Sequence, residues 1–294
     1  MGCEMLAVLD RESTSSTLAQ VPEWFEEWEQ ALSRFRYDSE LTLLNQKHEQ
    51  PVQVSKILRD VFQAACEAEQ MTNGLVTPTL LEAMLEAGYN RPFEELAVLD
   101  TPISSAATRT SASLSAITVN AAEGTIILPH GLGLDFGGVA KGWAAYQAMK
   151  RLQVEGPTLI NAAGDIAISG PRADGSEWEI GIADPFHKGD ELETLFLNGC
   201  GVATSGKDRR RWTRGGSVRH HIIDPSTNQP AETDLLTVTV IAPNVMQAEG
   251  AAKAAFILGS RLGLEWIEAH PEFAALLILD NGNLLYSQKM EEYL

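Results

Sequence analysis

The sequence predicts an α+β fold, mixed sheets packed with helices. Helix-period and strand-period apolar patterns alternate along the chain. Glycine-bearing turns close most of the strand-like runs. No linker and no internal repeat breaks the chain, and 294 residues are enough to bury a full core. The expectation is one domain over residues 1–294, with two intimately packed subdomains as its internal division.

The elements follow in order. CEMLAVLD is a short apolar run and a first strand. PEWFEEWEQALSRF places Trp24, Trp28 and Leu32 at helical spacing, with Pro22 suited to a first turn. These tryptophans read as core anchors. SELTLLNQ is a short helix or turn, and VSKILRDVFQAACEAEQMTNG a second amphipathic helix closed by Asn73 and Gly74. TPTLLEAMLEAGYN predicts a third helix with Gly88 at its end. Residues 101–115, rich in Ser, Thr and Ala, read as a surface connection. AITVNAAEGTIILPHG is a hairpin around AAEG, and VAKGWAAYQAMKRLQ a helix. PTLINAAGDIAISG and EWEIGIADP read as strands, and LETLFLNGCGVATSG as strand and turn. The last third predicts a strand (LLTVTVIAP), two helices (NVMQAEGAAKAAFILG and LGLEWIEAHP) and a terminal hairpin around DNGN.

Charge narrows the function. Lys plus Arg number 22 and Asp plus Glu 40, a formal charge of -18, which disfavours general binding to nucleic acid or anionic membranes. The local exception is the basic run KDRRRWTR, whose simplest reading is a solvated turn. Cys3, Cys66 and Cys200 are far apart and form no CxxC pair, so they read as reduced thiols. Cys3 suggests a lipid anchor, but no positively charged segment and apolar run precede it. No stretch approaches 18 consecutive apolar residues. The expectation is a cytoplasmic protein without membrane insertion.

Four stretches carry candidate chemistry. In GLGLDFGGVAKGW, Gly137 and Gly138 lie between an apolar run and a helix containing Lys141. Such a turn suits a phosphate at free helix N–H groups, with Lys141 adding charge, or it is simply a tight turn with a surface lysine. It is neither GxGxxG nor a P-loop. INAAGDIAISG puts Asn161, Gly164 and Asp165 at a strand end, to bind a ligand edge or to hold their own turn. GVATSGKDRRRW offers the hydroxyls of Thr204 and Ser205 beside Gly206, without a GxSxG elbow. GSVRHHIIDP joins His220, His221 and Asp224. Histidine moves protons near neutral pH, although a histidine beside isoleucine is more often structural.

Taken as an ordered series, these stretches resemble the ApbE family, the FAD:protein FMN transferases. MGC resembles the family's opening MGT, and FRYDSELTLLN its FS…SELSRLN segment. NGLVTPTLLEAMLEAGY occupies the place of F-D-x-T-x-x-P-L. LDFGGVAKGW resembles D-L-G-G-I-A-K-G-Y, NAAGD resembles N-x-G-G-D, and VATSG and HIIDP resemble TSG and HIIDPxTG. The resemblance implies an ApbE-like fold and cleavage of the FAD pyrophosphate. FMN would pass to a threonine hydroxyl of a flavin-accepting protein, with release of AMP. It implies that Met1, Gly2, Cys3, Lys141, Asp165, Thr204, Ser205 and Gly206 line the flavin-nucleotide site. It implies that His221 assists proton transfer or orients the acceptor, that Asp224 supports that turn, and that Ala140 and Glu249 belong to a Mg2+ site. His220 is the variable neighbour and reads as structural.

The chain departs from the family at several positions. The helix expected to read A-D-A-x-A-T-A reads AEGAAKAAF, so Glu249 stands for the aspartate and Lys253 for the threonine. Glutamate can ligate Mg2+, whereas a protonated lysine cannot and its charge opposes a cation. Asn228 stands where the family has glycine, and Leu75 and Val76 replace a Phe-Asp pair. Either Lys253 partly replaces the metal electrostatically, or catalysis is lost and the chain is a non-catalytic FAD-binding or scaffold protein of the same fold; an FAD pyrophosphatase is a third reading.

Overall fold

A computed structural model describes residues 4–11, 14–96 and 112–294 of the chain. In chain order it contains β1 (Met5–Leu9), α1 (Val21–Leu32), α2 (Glu40–Asn45), β2 (Val52–Gln53), α3 (Lys56–Met71), α4 (Leu81–Glu86), β3 (Thr118–Asn120), β4 (Thr125–Ile127) and α5 (Ala140–Leu152). There follow β5 (Thr158–Ala162), β6 (Asp165–Ile168), β7 (Trp178–Ala183), β8 (Glu191–Leu197), β9 (Gly201–Gly206), β10 (Arg211–Arg214), β11 (Ser217–His220), β12 (Ile223–Asp224) and β13 (Gln229–Pro230). The chain ends with β14 (Leu235–Ala242), α6 (Val245–Glu268), β15 (Ala274–Leu279) and β16 (Leu284–Tyr286). The α+β expectation holds. The connection expected at 101–115 lies mostly outside the described residues.

The chain divides into two compact units. One comprises Phe25–Ala140 and Arg209–Glu232, and the other the stretch ending at Trp24 with Lys141–Asp208 and Thr233–Leu294. The second is built on a seven-stranded sheet in the order β1-β5-β6-β9-β14-β15-β16, antiparallel throughout. The eight residues of β14 are all buried, as expected of a central strand covered on both faces. One face packs against the β7–β8 hairpin: Ile166, Ile168, Val202, Ile241, Leu276 and Ile278 meet Trp178, Ile182, Leu195 and Leu197. The other face carries α6, whose buried side is mostly alanine and glycine. Small side chains let the helix lie close. A Cβ on Gly201 would come within 2.0 Å of the Val245 nitrogen, so β9 must begin with glycine.

The two helices expected in the last third form one element interrupted at Gly259, which adopts φ 79°. The Asp234 carboxylate accepts from the Ser260 N–H and hydroxyl there and starts the second helical segment.

The other unit holds α2, α3, α4, the remainder of α1, and the small sheet β2-β4-β3. Ser39 and Ser55 cap α2 and α3 through their side chains. Trp28 and Leu32 are buried, as the helical spacing predicted. The basic run differs from its expected form as a solvated turn. It contributes β10, paired with β11, and Trp212 is buried with Tyr89 and Ile223. The Trp212 indole donates to Ala87 O at 2.9 Å, and the Arg214 guanidinium donates to Glu86 O. Both groups satisfy carbonyls at the C-terminal end of α4, where a cation is also favoured by the helix dipole. Short-range composition could not show this partnership, because its members lie more than a hundred residues apart.

Candidate functional site

Four charged side chains converge in the sheet unit. Asp165 opens β6, on the face opposite Ile166 and Ile168 and therefore on the α6 side of the sheet. Lys141 lies in the first turn of α5, and Glu249 and Lys253 lie one turn apart on α6. The Lys141 ammonium donates to Asp165 Oδ2 and, at 2.8 Å, to Glu249 Oε1. Lys253 donates to the same Glu249 oxygen at 2.9 Å. Glu249 Oε2 accepts from the Gly142 N–H at 2.9 Å. A Cβ on Gly142 would lie 2.7 Å from Glu249 Oε2 and 3.2 Å from Val245 O, so this helix start needs glycine. The free helix N–H expected for a phosphate is thus engaged, at Gly142, by a carboxylate instead.

The electrostatics follow from burial and partner number. Glu249 is 1% exposed and Asp165 3%. Burial works against the Glu249 carboxylate, but Lys141 and Lys253 outweigh it and pull its pKa down to about 2. Asp165 is hydrogen-bonded by Lys141 and feels Lys253 only through space. Burial raises it, Lys141 opposes, Glu249 adds repulsion, and the result is a pKa pushed up to about 6. Burial would lower Lys141, yet the two carboxylates hold its ammonium above the usual lysine range. Lys253, whose burial is offset mainly by Glu249, falls below that range.

A divalent cation does not fit this donor set. Both oxygens of Glu249 already accept hydrogen bonds, two of them from ammonium groups. Ala140 brings no side-chain ligand. Mg2+ asks for six oxygens in octahedral array. A doubly charged ion 4 Å from an ammonium also meets a repulsion of roughly 8 kcal/mol at an effective dielectric near 20. Among the described residues, no three His, Cys, Asp or Glu side chains converge to hold a metal.

The strand β9 divides its candidates between two faces. Ser205 is buried and lies on the α6 side with Asp165, whereas Thr204 lies on the opposite face. There the Thr204 hydroxyl is 2.9 Å from that of Thr239 on the paired strand. Gly206 has no room for a Cβ, which would lie 2.7 Å from Thr237 Cγ2 and 2.8 Å from Leu236 O. The NAAGD turn joins β5 to β6 with Ala163 at φ 58° and Gly164 at φ 98°, a two-residue hairpin that requires left-handed backbone at both positions. Asn161 Oδ1 accepts from the Gly164 N–H at 2.8 Å, so Asn161 holds its own turn. Met1, Gly2 and Cys3 lie outside the described residues.

His221 and Asp224 belong to the other unit. His220 is buried between two backbone partners: Nδ1 accepts from the Ile222 N–H at 3.3 Å, and Nε2 faces Ala231 O at 3.0 Å. That pattern assigns the proton to Nε2 and a structural role to this ring. His221 follows it, half-buried, with its Nδ1 shielded from solvent. Asp224 Oδ1 accepts from the N–H and hydroxyl of Ser226 at 2.8 and 2.7 Å. It therefore fastens the turn between β12 and β13. Asn228 completes that turn at φ 55°, which explains why asparagine can stand for glycine.

Sequence reasoning missed Gly142 as the donor to Glu249, Thr239 as the partner of Thr204, and Ser226 as the partner of Asp224. Only the first had a signal, a glycine directly after the lysine in AKGW.

An antiparallel sheet clad by a helix rich in small residues and by a hairpin, with a buried lysine–carboxylate cluster, defines an α+β architecture. The ApbE family model matches residues 1–277, and the chain belongs to the ApbE family. It is 30% identical over 280 residues to a protein of Treponema pallidum named FAD:protein FMN transferase, covering 90% of this chain and 77% of that protein. A protein of the same name from Salmonella typhimurium is 27% identical over 258 residues, covering 85% and 73%. Among solved structures, the ApbE protein of Thermotoga maritima superposes with a TM-score of 0.83 at 22% identity, over 98% of this chain and 94% of the other. The apo flavinyl transferase ApbE of Pseudomonas stutzeri gives 0.82 at 24%, over 99% and 93%. At these identities the solved structures speak for the fold. No helix among the described residues is long and apolar enough to cross a membrane.

Proposed function

We propose that this chain is an FAD:protein FMN transferase. The threonine hydroxyl oxygen of an acceptor protein attacks the FMN phosphorus of FAD. The bond from that phosphorus to the bridging oxygen breaks, AMP leaves, and the hydroxyl proton passes to a base. The observation that carries the reading is the match to curated FMN transferases along 85–90% of the chain.

The residues supply compatible parts. Lys141 and Lys253 present positive charge beside Asp165, Glu249 and the strand bearing Ser205, suited to a pyrophosphate and to the charge that develops on transfer. His221 is assigned the proton of the acceptor threonine or the orientation of that hydroxyl. Asp224 keeps the His221 turn in shape through Ser226. Both Glu249 oxygens are already engaged, by two ammonium groups and the Gly142 N–H.

The rival reading, an FAD-binding protein without transfer, draws on that same sealed carboxylate. Incubation with FAD and a flavin-accepting domain, followed by intact-mass spectrometry and nucleotide analysis, separates the cases. The account expects an acceptor carrying FMN and an equal amount of AMP. AMP with an unlabelled acceptor indicates pyrophosphatase activity, and intact FAD with an unlabelled acceptor indicates binding alone. Either result removes the transferase reading.

A further inference from the structure

The lysine at 253 has hydrogen-bonding capacity that its carboxylate partner does not use. Two ammonium groups carry six N–H donors. Lys141 gives one to Asp165 and one to Glu249, and Lys253 gives one to Glu249. Three donors remain, with no further acceptor among the described residues. The two side chains are 19% and 15% exposed, so an anion can reach them, while both carboxylates are sealed. Two positive and two negative groups balance within the cluster, leaving no excess negative charge to draw in a cation.

We propose that Lys253, with Lys141, takes the place of a divalent cation, and that their three remaining N–H donors receive phosphate oxygens of the nucleotide ligand without metal. The identity of that nucleotide as FAD rests on the transferase reading. Lys253 then acts as a built-in cation: its tether to Glu249 at i, i+4 fixes the ammonium where an ion would otherwise be recruited from solution. A merely structural counter-ion to Glu249 would stabilise the helix pair and leave ligand affinity unchanged.

The test uses the full chain, with Mn2+ as the metal probe and FAD as the nucleotide probe. Electron paramagnetic resonance of added Mn2+ should show no stoichiometric binding to the wild type. FAD affinity, followed by flavin fluorescence, should be the same in EDTA as in Mg2+. Lys253→Met should weaken FAD in EDTA by roughly tenfold or more, the worth of a charged hydrogen bond, and Lys253→Arg should restore most of it. Lys253→Thr should lose affinity in EDTA and regain it with Mn2+. One tightly bound Mn2+ per wild-type chain overturns the proposal, as does full FAD affinity of Lys253→Met in EDTA. Should a variant fail to fold by circular dichroism, the wild-type Mn2+ titration still decides. Absence of FAD binding under every condition removes the transferase reading, while the Mn2+ result separately judges the lysine-for-metal claim.

Discussion

The charge cluster around Glu249 and the hairpin around His221 are built on opposite plans. The cluster joins residues 141, 165, 249 and 253 from three elements of one unit: Lys141 reaches Asp165 across 24 residues and Glu249 across 108, and Lys253 joins Glu249 from one turn along α6. The hairpin closes on itself: His220 bonds Ile222 and Ala231, and Asp224 bonds Ser226, all within a dozen residues. The cluster therefore ties its charges to one another across the unit, whereas the hairpin is held by short-range bonds of His220 and Asp224. Removing a cluster carboxylate should damage the fold. On the transferase reading, removing His221 should affect the reaction more than the fold.

The largest expected effect is on rate. His221→Ala should slow FMN transfer by about 10²- to 10⁴-fold, the usual worth of a positioned proton-transfer group, while FAD affinity stays near the wild-type value. Single-turnover transfer assays with parallel binding curves would show it. An unchanged rate would strip His221 of its role. His220→Ala serves as the contrast, since it should lower stability by breaking two buried bonds.

Next comes Glu249→Ala, which leaves two ammonium groups without their shared carboxylate. Unfolding by urea should report a loss of about 3–5 kcal/mol, the cost of breaking a buried ion pair on one side. The same cluster predicts an acid profile. Glu249 has a folded pKa below its unfolded one, so its contribution is present above about pH 4.5 and is lost as pH falls towards 2. Asp165 has a folded pKa above its unfolded one, so its contribution is full below about pH 3.8 and is lost as pH rises through 6. Between pH 6 and 4.5, acidification should therefore raise the urea midpoint, and below 4.5 the Glu249 loss should set in. Asp165→Asn should flatten the upper limb alone. A midpoint that falls steadily from pH 7 would contradict this division of roles.

The smallest effect is a gain. Ala163 holds φ 58° in the β5–β6 turn, a conformation that costs an L-residue about 1–2 kcal/mol. Ala163→Gly relieves that strain but loosens the unfolded chain, so a net rise of up to about 1 kcal/mol is expected. Thermal melting would register it, and a lowered midpoint would mean that the alanine methyl makes compensating contacts.

The division between the two regions also sets what could be read from the sequence. Apolar periodicity located the helices and most strands because each pattern is local, and the glycine before LGLEWIEAHP correctly split the last helical stretch at Gly259. The structural reading of His220 comes from the family resemblance, and its two backbone bonds agree with it. The helix of TPTLLEAMLEAGYN is shorter than expected, Leu81–Glu86, and the end of KDRRRWTR forms a paired strand whose Trp212 and Arg214 donate to carbonyls at the end of α4. Lys253 could be recognised as a misfit for a metal. Its pairing with Glu249 carries a local signal, the i, i+4 spacing on α6, whereas the arrival of Lys141 from α5 and of Asp165 from β6 is something no single-sequence pattern encodes.

The most direct measurement is the intact mass of a flavin-accepting domain after incubation with this protein and FAD, run in parallel with EDTA and with Mg2+. The account predicts FMN-labelled acceptor and equimolar AMP in both arms. An unmodified acceptor in both arms would contradict it.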